Sequence, residues 1–283
     1  GGDLLERIAA LRKQIEIDLG LVVPPVRIRD NGQLEPNHYS LLLRGQEIAR
    51  GELIADHMLA IDSGLSGEPL NGMQTREPAF GLTAWWIPPA ERDMAERRNY
   101  TVVEPSGVLA THLTEMIKRN ASELLTRAET HKLVDNLKQK NAQLVEEVIP
   151  GLLKVGDVQR VLQNLLRERV PIRDLEAIVE ALGDWAPRTK DVEILTEYAR
   201  NALARTICAQ YRAPDGALHC VTLDPATEDY IQANVQRSDA GSQLAVPPDR
   251  QTQLADATRK QIDQAAGRSS SVVVLCSPPI RAW

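Results

Sequence analysis

The sequence predicts a multidomain α+β fold: a split α+β first subdomain, a small α/β subdomain inserted into it, a helical winged-helix-like third subdomain and a C-terminal α/β subdomain. Three observations predict it. At 283 residues the chain is longer than one ordinary compact unit and can bury several cores. Strand-like and helical stretches alternate up to Leu125, whereas from 127 to 210 the apolar residues recur at helical spacing almost without interruption. Beyond Pro214-Asp215-Gly216 strand and helix signals mix again.

Leu4, Ile8, Leu11, Ile15 and Leu19 lie on one stripe of an amphipathic helix over 3–19, with Asp3 as its cap. Pro24-Pro25 breaks that helix. Val26-Arg27-Ile28-Arg29 then alternates like a strand that ends at the Asn31-Gly32 turn signal. Tyr39–Leu43 and Glu47–Glu52, joined by Arg44-Gly45-Gln46, read as a hairpin. From Ser63 to Pro78 the chain is rich in Gly, Ser, Asn and Pro without periodicity, which predicts an exposed loop. Residues 80–87 read as a strand, Pro88–Arg98 as a short helix with Pro at its start, and Tyr100–Val103 as another strand, together forming an insertion within the first domain. Ser106 is placed to cap a helix running to about Leu125.

The helical region shows successive stripes: Leu133, Val134 and Leu137; Val158, Val161, Leu162, Leu165 and Leu166; Leu175, Ile178, Val179 and Leu182; Ile194, Leu195, Tyr198, Leu203 and Ile207. Val170-Pro171-Ile172, between two of its helices, suggests a winged-helix-like corner. A strand near Leu218–Leu223, helices near 225–237 and 247–267 and a strand at Val272–Leu275 complete the chain.

Composition narrows the function classes. The longest apolar runs, Gly81–Ile87 and Val272–Cys276, fall far short of the ~20 residues that span a bilayer. No targeting segment is readable, so the chain reads as cytosolic. Cys208, Cys220 and Cys276 are too scattered for a disulfide framework or a CxxC pair and read as buried or free thiols. A net charge of −6 opposes phosphate-backbone binding. The helical region, where a winged-helix-like stretch would otherwise suggest a nucleic-acid-binding regulator, has nearly balanced charge and no basic excess.

The constellations that chemistry requires are missing: the sequence holds no GxxxxGK[ST], GxGxxG, HExxH or GxSxG. The glycines of Arg44–Gly51 suit a hairpin and not a phosphate cradle. His38, His57, His112, His131 and His219 have no ligand-like spacing, so neither metal nor other cofactor is expected. His112 reads as a packed or capping residue near a helix start. Glu146-Glu147, and Glu123 with Glu129, read as solvated helix faces. A non-enzymatic protein-docking module is the expectation, with an unrecognised hydrolase the weakest alternative.

Several stretches then converge on one family. LVVPPVRIRDN (21–31), YSLLLRGQEIA (39–49), LAID (59–62), EPAFGLTAWW (77–86), TVVEPSGVLATHL (101–113), VLQNLLRERVPIRDLEAIVE (161–180) and LTEYARNALART (195–206) resemble the cytoplasmic part of the flagellar type III export gate, the FHIPEP family. The resemblance covers most of the chain and weakens after about Ile207. It implies four subdomains, which on these segments fall at 1–55 with 105–124, 56–104, 125–204 and 205–283. It also implies a multi-span membrane part upstream, so that the fragment sits at the cytoplasmic face of the bacterial inner membrane and meets the membrane only through that part. Self-association into a ring and contacts with other export-apparatus proteins are implied as well.

In this family, chaperone–substrate complexes dock in a cleft between the first two subdomains. The matching residues here are Ile61, Glu77, Phe80 and Thr111. Glu77 would supply a rim charge, and Phe80, the only Phe of the chain, an aromatic anchor for a partner's apolar helix face. From the residues alone Phe80 reads instead as the first core residue of its strand. The sequence departs from the family pattern in having Glu at 77, where Asp is frequent, and Ser63, near which Pro is usual. The family would add a strand before the first helix and a helix, strand and tail after Trp283. The nearest rival is the gate of a virulence-type (injectisome) secretion system, which shares the fold; the EPAFGL and VLQNLLRERVPIRDL segments look more flagellar.

Overall fold

The first helix, α1 (Gly2–Leu19), turns its predicted stripe inward: Ile8, Ile15 and Leu19 are buried, Leu4 and Leu11 half-buried. It starts at Gly2, so Asp3 lies within its first turn and not ahead of it. This computed structural model describes residues 2–64, 66, 69–238, 241–266 and 272–283. After α1 the expected strand at Val26–Arg29 does not form. The segment is irregular and Ile28 is exposed, because alternation without a neighbouring strand leaves the backbone no ladder to join. The turn at Asn31 does form, its carboxamide accepting from the Gln33 amide at 3.0 Å.

The hairpin of β1 (His38–Leu43) and β2 (Gln46–Glu52) pairs Leu43 with Gln46, with an irregularity between Leu41 and Leu42. Arg44 and Gly45 both take positive φ, 51° and 83°, as a two-residue turn matched to strand twist demands. A four-stranded antiparallel sheet follows: β3 (Met58–Asp62), β4 (Met73–Arg76), β5 (Thr83–Ile87) and, after α2 (Arg92–Arg97), β6 (Tyr100–Val103), in the order β4-β5-β3-β6. Its two faces bury different clusters, as the two-residue side-chain period requires. Met58, Ala60, Trp85, Ile87 and Tyr100 pack with Leu70 and with Ala95 of α2. Leu59, Ala84 and Trp86 pack with Val108 of α3 (Pro105–Arg119).

Three local expectations are corrected here. The stretch Ser63–Pro78 is not loop throughout: it contains β4, paired from Met73↔Trp86 to Arg76↔Thr83, and its Leu70 is buried. The partner strand, not the local composition, imposes that conformation; Leu65, Gly67 and Glu68 lie outside the described residues. The strand expected from residue 80 begins at Thr83. Ser106 does not cap α3, which starts with Pro105 in its first turn and ends at Arg119 ahead of α4 (Ala121–Leu124).

The chain divides into two compact units, 1–136 with 158–173 and 137–157 with 174–283. α5 (Arg127–Lys140), α6 (Ala142–Val148), α7 (Val155–Arg167), α8 (Leu175–Trp185), α9 (Val192–Ala202) and α10 (Ala204–Tyr211) follow the predicted helical stripes, with Val158, Val161, Leu162, Leu165, Ile178, Val179, Leu182 and Leu195 completely buried. Between α7 and α8 the buried Val170, Pro171 and Ile172 tuck in, the Ile172 amide bonding the Leu19 carbonyl that ends α1. In the second unit Asp174 and Asp191 cap α8 and α9, and Trp185 stacks on Tyr198 with ring centroids 3.6 Å apart. The C-terminal part pairs β7 (Cys220–Thr222) in parallel with β10 (Val273–Leu275), connected through α11 (Pro225–Ala233), a hairpin of β8 (Val235–Ser238) and β9 (Gly241–Leu244), and α12 (Pro248–Ala266). The hairpin stands where the sequence suggested the end of a helix. Mixed helix and sheet is thus the observed class.

Candidate docking site

The link between β4 and β5 is the tight turn Glu77-Pro78-Ala79-Phe80-Gly81-Leu82, and Glu77 builds it. Its Oε1 accepts from the Ala79 amide at 2.7 Å and its Oε2 from the Phe80 amide at 2.8 Å. Its carbonyl accepts from the Gly81 amide at 2.9 Å, and its own amide donates to the Leu82 carbonyl at 2.8 Å. Pro78 has no N–H to satisfy, and Gly81 takes φ +72° to turn the chain back into β5. Two arginines hold two further carbonyls: Arg76 Nη1 donates to Gly81 O and Arg119 Nη2, from α3, to Ala79 O, each at 2.9 Å. Phe80 consequently projects with 59 % of its surface exposed, next to Leu82 at 44 %.

This geometry decides the two readings of Phe80: it is not a core residue of a strand. It also changes the part expected of Glu77. The residue is only 3 % exposed and both carboxylate oxygens are engaged with backbone amides, so it shapes the turn from beneath and presents no charge at the rim. Ile61 lies half-buried on β3, opposite Ala84 and Thr101, against the cluster that includes Val108 of α3. Thr111 is exposed on α3, one turn beyond Val108. Glu77 and Phe80 therefore share one turn, while Ile61 and Thr111 stand on β3 and α3, which are linked to that turn through β5 and through Arg119.

A second polar layer supports the same region. The buried His112 of α3 and Tyr39 of β1 meet at 2.7 Å through Nδ1 and the phenol oxygen. Burial raises the Tyr39 phenol far above its ordinary range, with the Glu77 charge adding to it. Burial likewise lowers His112, opposed by Glu77 and helped by Arg119, which favours the neutral imidazole in its hydrogen bond with the Tyr39 hydroxyl. Gly51 makes room for that phenol: a Cβ there would stand 2.4 Å from the Tyr39 oxygen. A cleft of about 480 Å³ opens between the hairpin and the sheet, floored by Leu59 and Trp86 and edged by His38, Arg50, Thr75 and Arg76. Of the four predicted site residues only Glu77 lines it. Arg76, Arg119, Tyr39 and Gly51 were not picked out from sequence; Glu77-Pro78 with a glycine at 81 was a readable turn signal, but the arginine contacts are long-range.

Glu146, Glu147 and Glu123 are solvent-exposed and Glu129 half-buried, and the three cysteines are free, Cys220 exposed and Cys208 and Cys276 partly so. Among the described residues no helix is long and apolar enough to cross a membrane, and no cluster of His, Cys, Asp or Glu is placed to hold a metal ion.

The site is thus an exposed aromatic on a hydrogen-bonded turn between two strands of a small sheet, tied by Arg119 to the helix α3. The comparisons with known proteins identify the class. The family model of the FHIPEP family matches residues 1–283, and the chain belongs to that family. The flagellar biosynthesis protein FlhA of Bacillus subtilis is 45 % identical over 283 residues, covering all of this chain and 42 % of the relative. The chain thus spans less than half the length of that relative. Among solved structures, the Chlamydia pneumoniae CdsV and CdsO protein complex contains a chain that superposes with a TM-score of 0.80 at 26 % identity, covering 91 % of this chain and 75 % of that one. The nonameric EPEC SctV-C superposes with a TM-score of 0.75 at 22 % identity, covering 97 % and 89 %, and shares the fold.

Proposed function

We propose that the chain is a docking platform of the flagellar type III protein export gate, without catalytic activity of its own, that receives chaperone–substrate complexes at the Phe80 turn. The identity to FlhA across the whole chain supports the flagellar gate. The observation that carries the docking site is the single phenylalanine exposed on a turn whose Ala79 and Phe80 amides are bonded to Glu77 and whose Ala79 and Gly81 carbonyls are bonded to Arg119 and Arg76. An apolar group fixed in solvent is of no use to the fold; it lowers the ordering cost for a partner that buries it. Ile61 on β3 and Thr111 on α3 belong to the same proposed surface, and Glu77 acts by holding the turn. The platform belongs at the cytoplasmic face of the inner membrane, joined to a membrane-spanning part outside this chain, and assembles as a ring, a reading supported by the nonameric SctV-C domain with which it shares its fold.

The test is isothermal titration of this chain with a purified late-substrate chaperone carrying its export substrate, both from the same flagellar system. Phe80→Ala should weaken binding at least tenfold, roughly the effect of losing an interface anchor, and Thr111→Ala by a few-fold. Binding of Phe80→Ala as tight as wild type would overturn the site assignment.

A further inference from the structure

Arg119 reaches in two directions. Its Nη2 holds the Ala79 carbonyl of the Phe80 turn, and its Nε donates to Glu115 Oε1 at 2.8 Å. Glu115 lies one helical turn earlier on α3 with a side chain only 6 % exposed. Its carboxylate also receives both terminal nitrogens of Arg169, which follows α7 with a left-handed φ of 59°. The result is a contiguous chain of charge-assisted hydrogen bonds from Ala79 through Arg119 and Glu115 to Arg169. An exposed i,i+4 pair alone would hold little. Here one buried carboxylate orients two guanidinium groups, and the fixed planar fork of Arg119 spans the carboxylate and a backbone carbonyl in one geometry, whereas the rotating ammonium of a lysine would hold them less firmly.

We propose that Arg119, held by Glu115 and Arg169, is the positioning residue that fixes the pose of Phe80, so that docking strength depends on those three side chains as well as on the aromatic itself. The functional half of this rests on the Phe80 turn being the docking site. The positional half can be read without any partner, because a chain with one Phe gives a single fluorine resonance when grown on 4-fluorophenylalanine.

The experiment records that resonance for wild type, Arg119→Met, Arg119→Lys, Glu115→Gln, Arg169→Gly and the control Arg92→Ala, which removes only an exposed pair with Glu96. Circular dichroism melting confirms that each variant is folded. Arg119→Met and Glu115→Gln should shift the signal toward that of a free phenylalanine. Arg119→Lys should shift it partway. Arg169→Gly, which removes the side chain where glycine suits the backbone, should give the smallest shift, and Arg92→Ala none. An unmoved signal in folded Arg119→Met and Glu115→Gln overturns the proposal; if Arg119→Met does not fold, Arg119→Lys decides in its place. With the chaperone–substrate complex described above, Arg119→Met should bind about tenfold more weakly. If Phe80→Ala binds like wild type while Arg119→Met still moves the resonance, the docking reading falls and the positioning stands. If Phe80→Ala weakens binding while the Arg119 and Glu115 variants match wild type in both signal and affinity, the positioning falls and the docking stands.

Discussion

Residues 77–82 and 24–30 are both irregular, and each shows solvent a large apolar side chain, Phe80 at 59 % and Ile28 at 54 % exposed. They differ in what holds them. The first has its Ala79 and Phe80 amides bonded to Glu77 and its Gly81 and Ala79 carbonyls to Arg76 and Arg119. The second follows Pro24-Pro25 and, among the described residues, makes no backbone hydrogen bond; the nearest anchor is Arg12, donating to Val23 O at 2.8 Å. An exposed aromatic that is fixed differs from an exposed aliphatic that is merely unpaired. Only the first has its backbone held by hydrogen bonds, which lowers the ordering cost left for a partner.

The contrast breaks most sharply at Glu77. Glu77→Ala leaves the Ala79 and Phe80 amides without their acceptor in a buried setting and should cost about 3 kcal/mol in urea denaturation. Glu77→Gln retains one acceptor oxygen and should lie between. Glu77→Asp should stay within about 0.5 kcal/mol, because accepting from amides two and three residues ahead is what Asp does at helix and turn starts. That equivalence accounts for Glu standing where the family pattern often has Asp. A large loss in Glu77→Asp would show that the longer arm matters after all.

Gly51→Ala is the next largest. Its methyl would collide with the Tyr39 phenol, displacing the ring from His112 and costing about 1–3 kcal/mol. Chemical denaturation reads it directly, and the cost should persist in Tyr39→Phe, whose Cζ would still stand 2.5 Å from the methyl, but fall when the ring is removed as Tyr39→Ala.

These effects also mark what was legible in the sequence. The helical stripes and the hairpin were, because periodicity and the Arg44-Gly45 turn are local. β4 was not: an edge strand rich in polar residues takes its conformation from β5, and nothing within Met73–Arg76 announces it. Val26–Arg29 erred in the opposite sense, since alternation is a necessary feature of a half-buried strand but supplies no partner. β8–β9 was hidden by a helix that continues plausibly past Ala233. At the site, Phe80 was singled out by being the one Phe and by family resemblance, yet its exposure depends on Glu77 folding back on its own turn. Arg119 and Glu115 stand at i,i+4 on one helix, a spacing too common to single out. Their further partners, Ala79 and Arg169, lie 40 residues from Arg119 and 54 from Glu115, beyond any local signal.

A smaller effect comes from pH. His112 faces Tyr39, Glu77 and Arg119, and its pKa is held below the ordinary 6.5 chiefly by burial. The unfolded chain therefore binds the proton first, so this stabilisation is present above pH 6.5 and is lost as pH falls below it. Glu115 acts in the same sense lower down: burial raises its carboxyl, but hydrogen bonds from Arg169 and Arg119 outweigh burial and leave it below 4.5, so its contribution is lost as pH falls beneath that value. Melting temperature should decline from pH 7 to 5, and His112→Asn, which keeps an acceptor for Tyr39, should flatten that decline. An unchanged slope would assign it to other groups.

The smallest expected change is Ile28→Thr, within about 0.5 kcal/mol, because a side chain more than half exposed on an unpaired segment contributes little to the core. Phe80→Ala should be equally neutral in stability for the same reason. The pair thus separates fold from function: two exposed apolar residues with matched, negligible effects on unfolding, of which only Phe80 changes titration with the chaperone–substrate complex. Should Ile28→Thr weaken that binding as much as Phe80→Ala does, fixation by hydrogen bonds would not be what distinguishes a docking residue here, and residues 24–30 would have to be counted as part of the surface.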